Sequence, residues 1–199
     1  MPLCNPPVNG GPVLDFFVPC RYTVALMSTV QVGILMGSDS DWNKIDGVAK
    51  ALDEFGVQYE INVMSAHRTP EAVQKYAETA MSRGLSVLIC AAGGAAHLAG
   101  VVASHTTLPV IGIPVPTELA GGLDSLLSTV QMPGDIAVAT VGVGSGGARN
   151  AGILAVQMLA LAEPALRKKL EEFRAKLPQK IAEKNAGLNA QIQENRSNS

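Results

Sequence analysis

The chain has 199 residues, 47% hydrophobic and only 16% charged, with a net charge of -2 at pH 7. That length suits one domain with a substantial core, and neither the charge nor any basic cluster points to nucleic acid. No apolar run reaches the ~18 residues of a membrane span, and Cys4, Cys20 and Cys90 form neither a disulfide framework nor a metal pattern, which suits a cytoplasmic setting.

In chain order, residues 1–28 stand apart. They hold Pro2, Pro6, Pro7, Pro12 and Pro19 with Gly10-Gly11, and show no helix or strand period. No basic stretch leads into a long apolar core, so they read as a disordered leader rather than a signal peptide. An equivalent reading is an upstream extension of a protein whose natural start is Met27.

From Val30 the pattern alternates strand and helix through an α/β domain of residues 29–162. Val30 to Met36 is a buried strand. Gly37-Ser38-Asp39-Ser40-Asp41 turns into a helix whose Trp42, Ile45, Val48, Ala49, Leu52 and Phe55 keep a helical period, ended by Gly56. Val57 to Met64 is the second strand, followed by a helix with Val73, Tyr76, Ala77, Ala80 and Met81 on one face, ended by Gly84. Leu85 to Ala91 is the third strand, where Cys90 reads as a core residue, and a short helix then runs to about Ser104. Pro109 to Pro114 is the fourth strand, Asp124 to Val130 a helix, and Ile136 to Val141 the fifth strand. A helix over about Ala148–Leu161 is apolar nearly all round, which predicts burial. Five strands each followed by a helix predict an α/β fold: a parallel sheet with right-handed crossovers and helices on both faces.

Residues 163–199 form a C-terminal helical extension and tail. Leu166, Leu170, Phe173, Leu177 and Ile181 make one apolar stripe among charges. The stripe must be buried on its own domain or on a second copy, and the expectation is an oligomer contact. Pro178 should kink or restart the helix, and the polar end beyond Lys184 should fray.

Three loops after strand ends carry chemistry. Val63-Met64-Ser65-Ala66-His67-Arg68-Thr69-Pro70 sets a hydroxyl, an imidazole and a guanidinium at a helix start that Thr69 can cap and Pro70 suits. Ligands of open α/β sheets bind beyond the carboxyl ends of strands. A helix start offers free N–H groups to an anion, Arg68 adds a fork for phosphate or carboxylate, and an imidazole moves protons near neutral pH. In the first loop, Ser38 and Ser40 can hold a phosphate and Asp41 can accept from ribose hydroxyls. In the third, Ala91 to Leu98, paired glycines permit close ligand approach, and His97 could meet the ligand. Each loop also has an ordinary explanation in helix capping or a structural histidine; their joint occurrence around one crevice is what points to a site for a phosphate-bearing small molecule.

Competing patterns fail. Gly142-Val143-Gly144-Ser145-Gly146-Gly147 matches a dinucleotide fingerprint, but only a long helix follows, so these glycines read as a tight turn. His67, His97 and His105 lack metal-ligand spacing, and His105 reads as structural. No nucleophile-elbow motif occurs.

The segments Gly37-Ser38-Asp39-Ser40-Asp41-Trp42, Ser65-Ala66-His67-Arg68-Thr69-Pro70, Ala92-Gly93-Gly94-Ala95-Ala96-His97-Leu98 and Asp124 to Pro133 together resemble the PurE family of purine biosynthesis, as does, more weakly, Asn150-Ala151 before an apolar helix. The resemblance runs from about Val30 to Leu161. It implies a flavodoxin-like three-layer sandwich, a homo-octamer, and no metal or organic cofactor. The implied activity is N5-carboxyaminoimidazole ribonucleotide (N5-CAIR) mutase, fed by an N5-CAIR synthetase as functional partner. By the same resemblance His67 is the general acid/base, Ser38, Ser40 and Arg68 are phosphate ligands with Ser65 alongside, and Asp41 is the ribose ligand. Ala92, Gly93 and Gly94 would line a carboxylate and CO2 pocket with backbone N–H groups, supported by His97 and Leu98. The family's second branch, which carboxylates aminoimidazole ribonucleotide (AIR) directly, typically has Lys in place of Arg68 and a different glycine loop. Ala99 and Ala137 stand where the family commonly has proline. A direct AIR carboxylase, a non-catalytic flavodoxin-like nucleotide-binding module and a flavin-dependent decarboxylase are the alternatives.

Overall fold

The structure is a computed structural model that describes residues 30–197. The leader expected over residues 1–28 lies outside the described residues. The strands are β1 (Val32–Met36), β2 (Tyr59–Val63), β3 (Val87–Ala92), β4 (Val110–Pro114) and β5 (Ala139–Thr140), all parallel in the order β2-β1-β3-β4-β5. Between and after them run α1 (Trp42–Ile45), α2 (Gly47–Phe55), α3 (Pro70–Ala80), α4 (Leu98–Ser104), α5 (Leu123–Val130), α6 (Ser145–Leu159), α7 (Pro164–Ala175) and α8 (Leu177–Ser197).

The alternation of side chains along each strand divides the core in two. Val32, Ile34 and Met36 of β1, with Ile89, Ile111 and Ile113, pack against α2, α6 and Leu166 of α7. Leu35, Leu88, Cys90 and Val110 point the other way, onto α3 and α4. Both faces are covered, which is why β1, β3 and β4 read as unbroken apolar runs. The result is the three-layer α/β sandwich of flavodoxin type, with α7 and α8 as the C-terminal helical extension.

Several boundaries differ from expectation. The first helix is split at Asp46 into α1 and α2. The fifth strand pairs only through Ala139 and Thr140, with Val141 adding one bond to the Gly112 carbonyl at 3.1 Å. It is an edge strand entered through Pro133-Gly134 and Asp135, whose φ of 71° turns the chain out of register. The glycine run is less turn than helix: α6 already starts at Ser145. Gly147 is needed there, because a Cβ would fall 1.5 Å from the Gly142 carbonyl oxygen.

The apolar stripe of α7 is buried on its own domain. Leu166 is buried, Leu170 and Phe173 pack on the α2/α6 core, and the Phe173 ring meets Phe55 edge-on at 5.4 Å between centroids. Lys169 Nζ donates to the Phe55 carbonyl at 2.7 Å, closing the open end of α2. Pro178 sits in the first turn of α8 and marks the restart. The tail does not fray at Lys184: α8 continues to Ser197, carried by good helix formers such as Ala, Gln, Glu and Lys.

Helices α2 and α6 meet closely at Gly152, where an added Cβ would lie 2.7 Å from both the Ala51 Cβ and the Val48 carbonyl oxygen. Gly152→Ala is expected to cost about 1–3 kcal/mol and lower Tm by several degrees. Thermal denaturation checks this; an unchanged Tm would mean that the two helices separate at no cost.

Candidate functional site

All five strands run the same way, so their carboxyl ends share one rim, and the loops that leave it form a crevice of about 490 Å³. That volume suits a nucleotide-sized ligand. Beyond β1, the Gly37 N–H extends the ladder to the Ala91 carbonyl at 3.1 Å. Ser38 then caps a short 3-10 turn over Asp39–Asp41, and the Ser38 and Ser40 hydroxyls lie 2.8 Å apart. Asp41 lines the crevice together with Lys44. Burial pushes the Asp41 carboxyl above the usual carboxylate range; Lys44 opposes this and Asp39 adds to it.

The loop after β2 is tied to itself and to the first loop. Thr69 does not cap α3 with its side chain. Its hydroxyl instead accepts from the Ser65 N–H at 3.0 Å and donates to the Ser65 carbonyl at 3.1 Å. The side chain is thus spent on holding the loop shut. The Ser65 hydroxyl accepts from the Arg68 N–H at 3.2 Å and from Nε at 3.4 Å, while Arg68 Nη2 donates to the Gly37 carbonyl at 2.8 Å. Arg68 therefore reaches the crevice already aimed. His67 Nε2 lies 2.9 Å from His97 Nδ1, with the rings nearly perpendicular, so the second and third loops are joined through two imidazoles.

Ser38, Asp41, Ser65, His67, Arg68, Ala92, Gly93 and Leu98 line the crevice. Ser40, Gly94 and His97 do not, but each bonds to a neighbour of the site: Ser40 to Ser38, His97 to His67, and Gly94 through its N–H to the Ser125 hydroxyl at 2.9 Å. His105 ends α4 elsewhere, 3.8 Å from Glu78, and Cys90 is buried in β3 with its thiol pushed up by desolvation. Among the described residues, no three His, Cys, Asp or Glu side chains gather as metal ligands would.

Sequence reasoning missed the far wall, made by Val115, Pro116 and Thr117 after β4, and it missed Lys44. Thr117 Oγ1 donates to Asp124 Oδ1 at 2.6 Å, and Lys44 Nζ to the Pro116 carbonyl at 3.2 Å. The Thr117 bond, with further help from the Ser125 N–H, holds the Asp124 carboxyl below its usual range. The segment from Asp124 was legible as a motif without a role. Lys44 had only its position one turn after Asp41.

A family model described as AIR carboxylase matches residues 31–180. The N5-carboxyaminoimidazole ribonucleotide mutase of Mycobacterium tuberculosis strain H37Rv is 55% identical over 158 residues, 79% of this chain and 90% of the relative. The protein of that name from Bacillus subtilis strain 168 is 53% identical over 152 residues, 76% of this chain and 94% of the relative. Among solved structures, Treponema denticola PurE superposes with a TM-score of 0.70 at 31% identity, covering 79% of this chain and 98% of that one.

Held by Ser65 and Gly37 at the edge of the crevice, the Arg68 guanidinium has the chemistry to take an anion there. Arg68→Ala is expected to weaken binding of ribose 5-phosphate by about ten- to a hundredfold, the loss of one charge-assisted contact. Isothermal titration checks it, and unchanged binding would place the phosphate elsewhere.

Proposed function

The chain belongs to the AIR carboxylase (PurE) family, and from that premise we propose that it is an N5-carboxyaminoimidazole ribonucleotide mutase of purine biosynthesis. The observation that carries the reading is the convergence of His67, Arg68, the paired Ser38 and Ser40 hydroxyls and the Gly93 loop on one rim. The substrate phosphate rests on Ser38, Ser40 and Arg68 with Ser65 alongside, and Asp41 accepts from the ribose. The carbamate C–N bond breaks, its electron pair stays on the exocyclic nitrogen as CO2 leaves, and His67 delivers a proton to that nitrogen. C4 of the imidazole then attacks the retained CO2, and His67 takes the C4 proton, so the protons balance over the cycle. The CO2 sits against Ala92, Gly93 and Leu98, with Gly94 behind. The reading calls for no metal or organic cofactor. It places the chain in the cytoplasm, after an N5-CAIR synthetase that makes the carbamate.

Arg68 and the Gly93-to-Leu98 loop favour mutase over direct carboxylase by the family resemblance, in which the carboxylating branch typically has Lys in place of Arg68 and a different glycine loop. The two activities are separated by titrating bicarbonate with each substrate at matched concentration. The expected result is efficient conversion of N5-CAIR at low bicarbonate, with AIR needing far more CO2, and a loss on the order of 10²–10⁴-fold for His67→Asn. Efficient use of AIR at ambient CO2 with little activity on N5-CAIR would make it the direct carboxylase. Binding without turnover of either substrate would make it a nucleotide-binding module.

The same reading includes a homo-oligomer, with an octamer expected. Support comes from apolar surface left open: Leu119, Leu123, Leu127 and Val130 around α5 and Ile181 and Leu188 on α8 are all about half exposed or more. The α5 patch adjoins the groove of His97, Gly100 and Met132, so a second copy seated there would close the His67 side of the crevice against water. Light scattering at micromolar concentration is expected to give a multiple of the chain mass; a monomer would refute this part of the reading.

A further inference from the structure

The first turns of α5 hold the wall of the crevice from behind. Ser125 has no exposed surface. Its hydroxyl donates to the Val115 carbonyl at 2.7 Å and accepts from the Gly94 N–H at 2.9 Å. Three residues on, the Ser128 hydroxyl lies 3.1 Å from the Gly94 carbonyl oxygen and 2.7 Å from that of Asp124. The Gly94 N–H is therefore held by this helix, and the Gly94 carbonyl, which accepts from the Ala96 N–H at 2.8 Å, lies within reach of the one hydrogen that Ser128 shares with the Asp124 carbonyl. The N–H groups of its neighbours Gly93 and Ala95, which line the crevice, have no acceptor among the described residues. The same Ser125 holds Val115, so one buried hydroxyl ties the loop after β3 to the segment after β4, beside the direct bond from the Val115 N–H to the Ala92 carbonyl at 2.9 Å.

We propose that Ser125 is a positioning residue of the site, with Ser128 as its second arm: it pins Gly94 and thereby fixes the Gly93 and Ala95 amides as a rigid wall for the migrating carboxylate. The inference rests on the mutase reading above. In that reaction the wall must hold CO2 between the breaking of the C–N bond and the forming of the C–C bond. Removing the Ser125 hydroxyl leaves a donor and an acceptor buried without partners, and the loop relaxes. CO2 then escapes before C4 attacks, and AIR accumulates in place of the recarboxylated product.

The test compares wild type, Ser125→Ala, Ser128→Ala and Thr129→Val on N5-CAIR, measuring the ratio of AIR to 4-carboxy product after subtracting spontaneous decay. Thr129 is the control. It is equally buried on the same helix, but its hydroxyl bonds only to the Ser125 carbonyl. Exchange of amide hydrogens over residues 91–98 is measured in parallel. Ser125→Ala is expected to lower kcat by on the order of 10²-fold, with a smaller change in KM, and to shift products toward AIR. Ser128→Ala should do the same more weakly, and both should speed exchange in the loop. Thr129→Val should lower Tm but keep the product ratio and the exchange pattern. A wild-type product ratio in Ser125→Ala, or an equal shift in Thr129→Val, would overturn the proposal. If the wild type makes no 4-carboxy product, the mutase reading fails instead, and the exchange data alone then decide whether Ser125 holds the loop.

Discussion

Parallel pairing of β1 with β2 on one side and β3 on the other decides where everything else can go. It sends Gly37, Met64 and Gly93 out of the same edge of the sheet, each leading into a loop of a different composition. Once there, the loops bond to one another in a closed circuit. Arg68 reaches back to the Gly37 carbonyl, His67 meets His97, Gly94 meets Ser125, Thr117 meets Asp124, and Lys44 returns from the first helix to the Pro116 carbonyl. The circuit depends on the sheet's register, which brings these side chains within reach of one another. A slip of one residue in β1 would turn every side chain of that strand to the opposite face and separate Gly37 from Ala91.

The two core layers serve this arrangement in different ways. The α2/α6 layer is built on small residues: Ala148, Ala151, Gly152 and Ala155 let α6 come close to α2. Close helices leave little room for motion, and α6 therefore gives the sheet a stiff backing. The opposite layer carries α3, α4 and α5; Leu98 at the start of α4 lines the crevice, and Ser125 near the start of α5 holds the crevice wall from behind. Its buried polar groups, Ser125 and Thr129, are all hydrogen-bonded. A polar group buried without a partner costs free energy, so a satisfied one specifies a single loop arrangement.

Much of this was legible in the sequence because local signals and tertiary needs agree. The apolar runs of β1, β3 and β4 are long because both their faces are covered, and the Ser65–Pro70 junction marks its own helix start. What escaped depends on partners distant in sequence. Ser125 matters because of Gly94, thirty-one residues away, and Lys44 because of Pro116, seventy-two away. The fate of the stripe on α7 was open for the same reason: Leu166 and Phe173 look alike whether they cover Phe55 or a second copy. Thr69 looked like a cap and became a loop clasp, since its hydroxyl can satisfy both polar groups of Ser65 at once.

The imidazole pair shows how a preformed circuit can serve proton transfer without being disturbed by it. A hydrogen bond between His67 Nε2 and His97 Nδ1 needs one hydrogen and one bare nitrogen. When His67 carries two hydrogens, Nε2 donates to a neutral His97. When His67 gives up the hydrogen on Nδ1, Nε2 still donates and the bond persists. In the proposed reaction, then, the proton lent to the exocyclic nitrogen and recovered from C4 enters and leaves at the outer nitrogen. The inner one keeps the ring fixed. Arg68 follows the same logic: Nε and Nη2 are engaged in the loop, and the proposed reaction draws only on the rest of the fork. In the proposed reaction a site held in this way needs little further ordering when the substrate arrives.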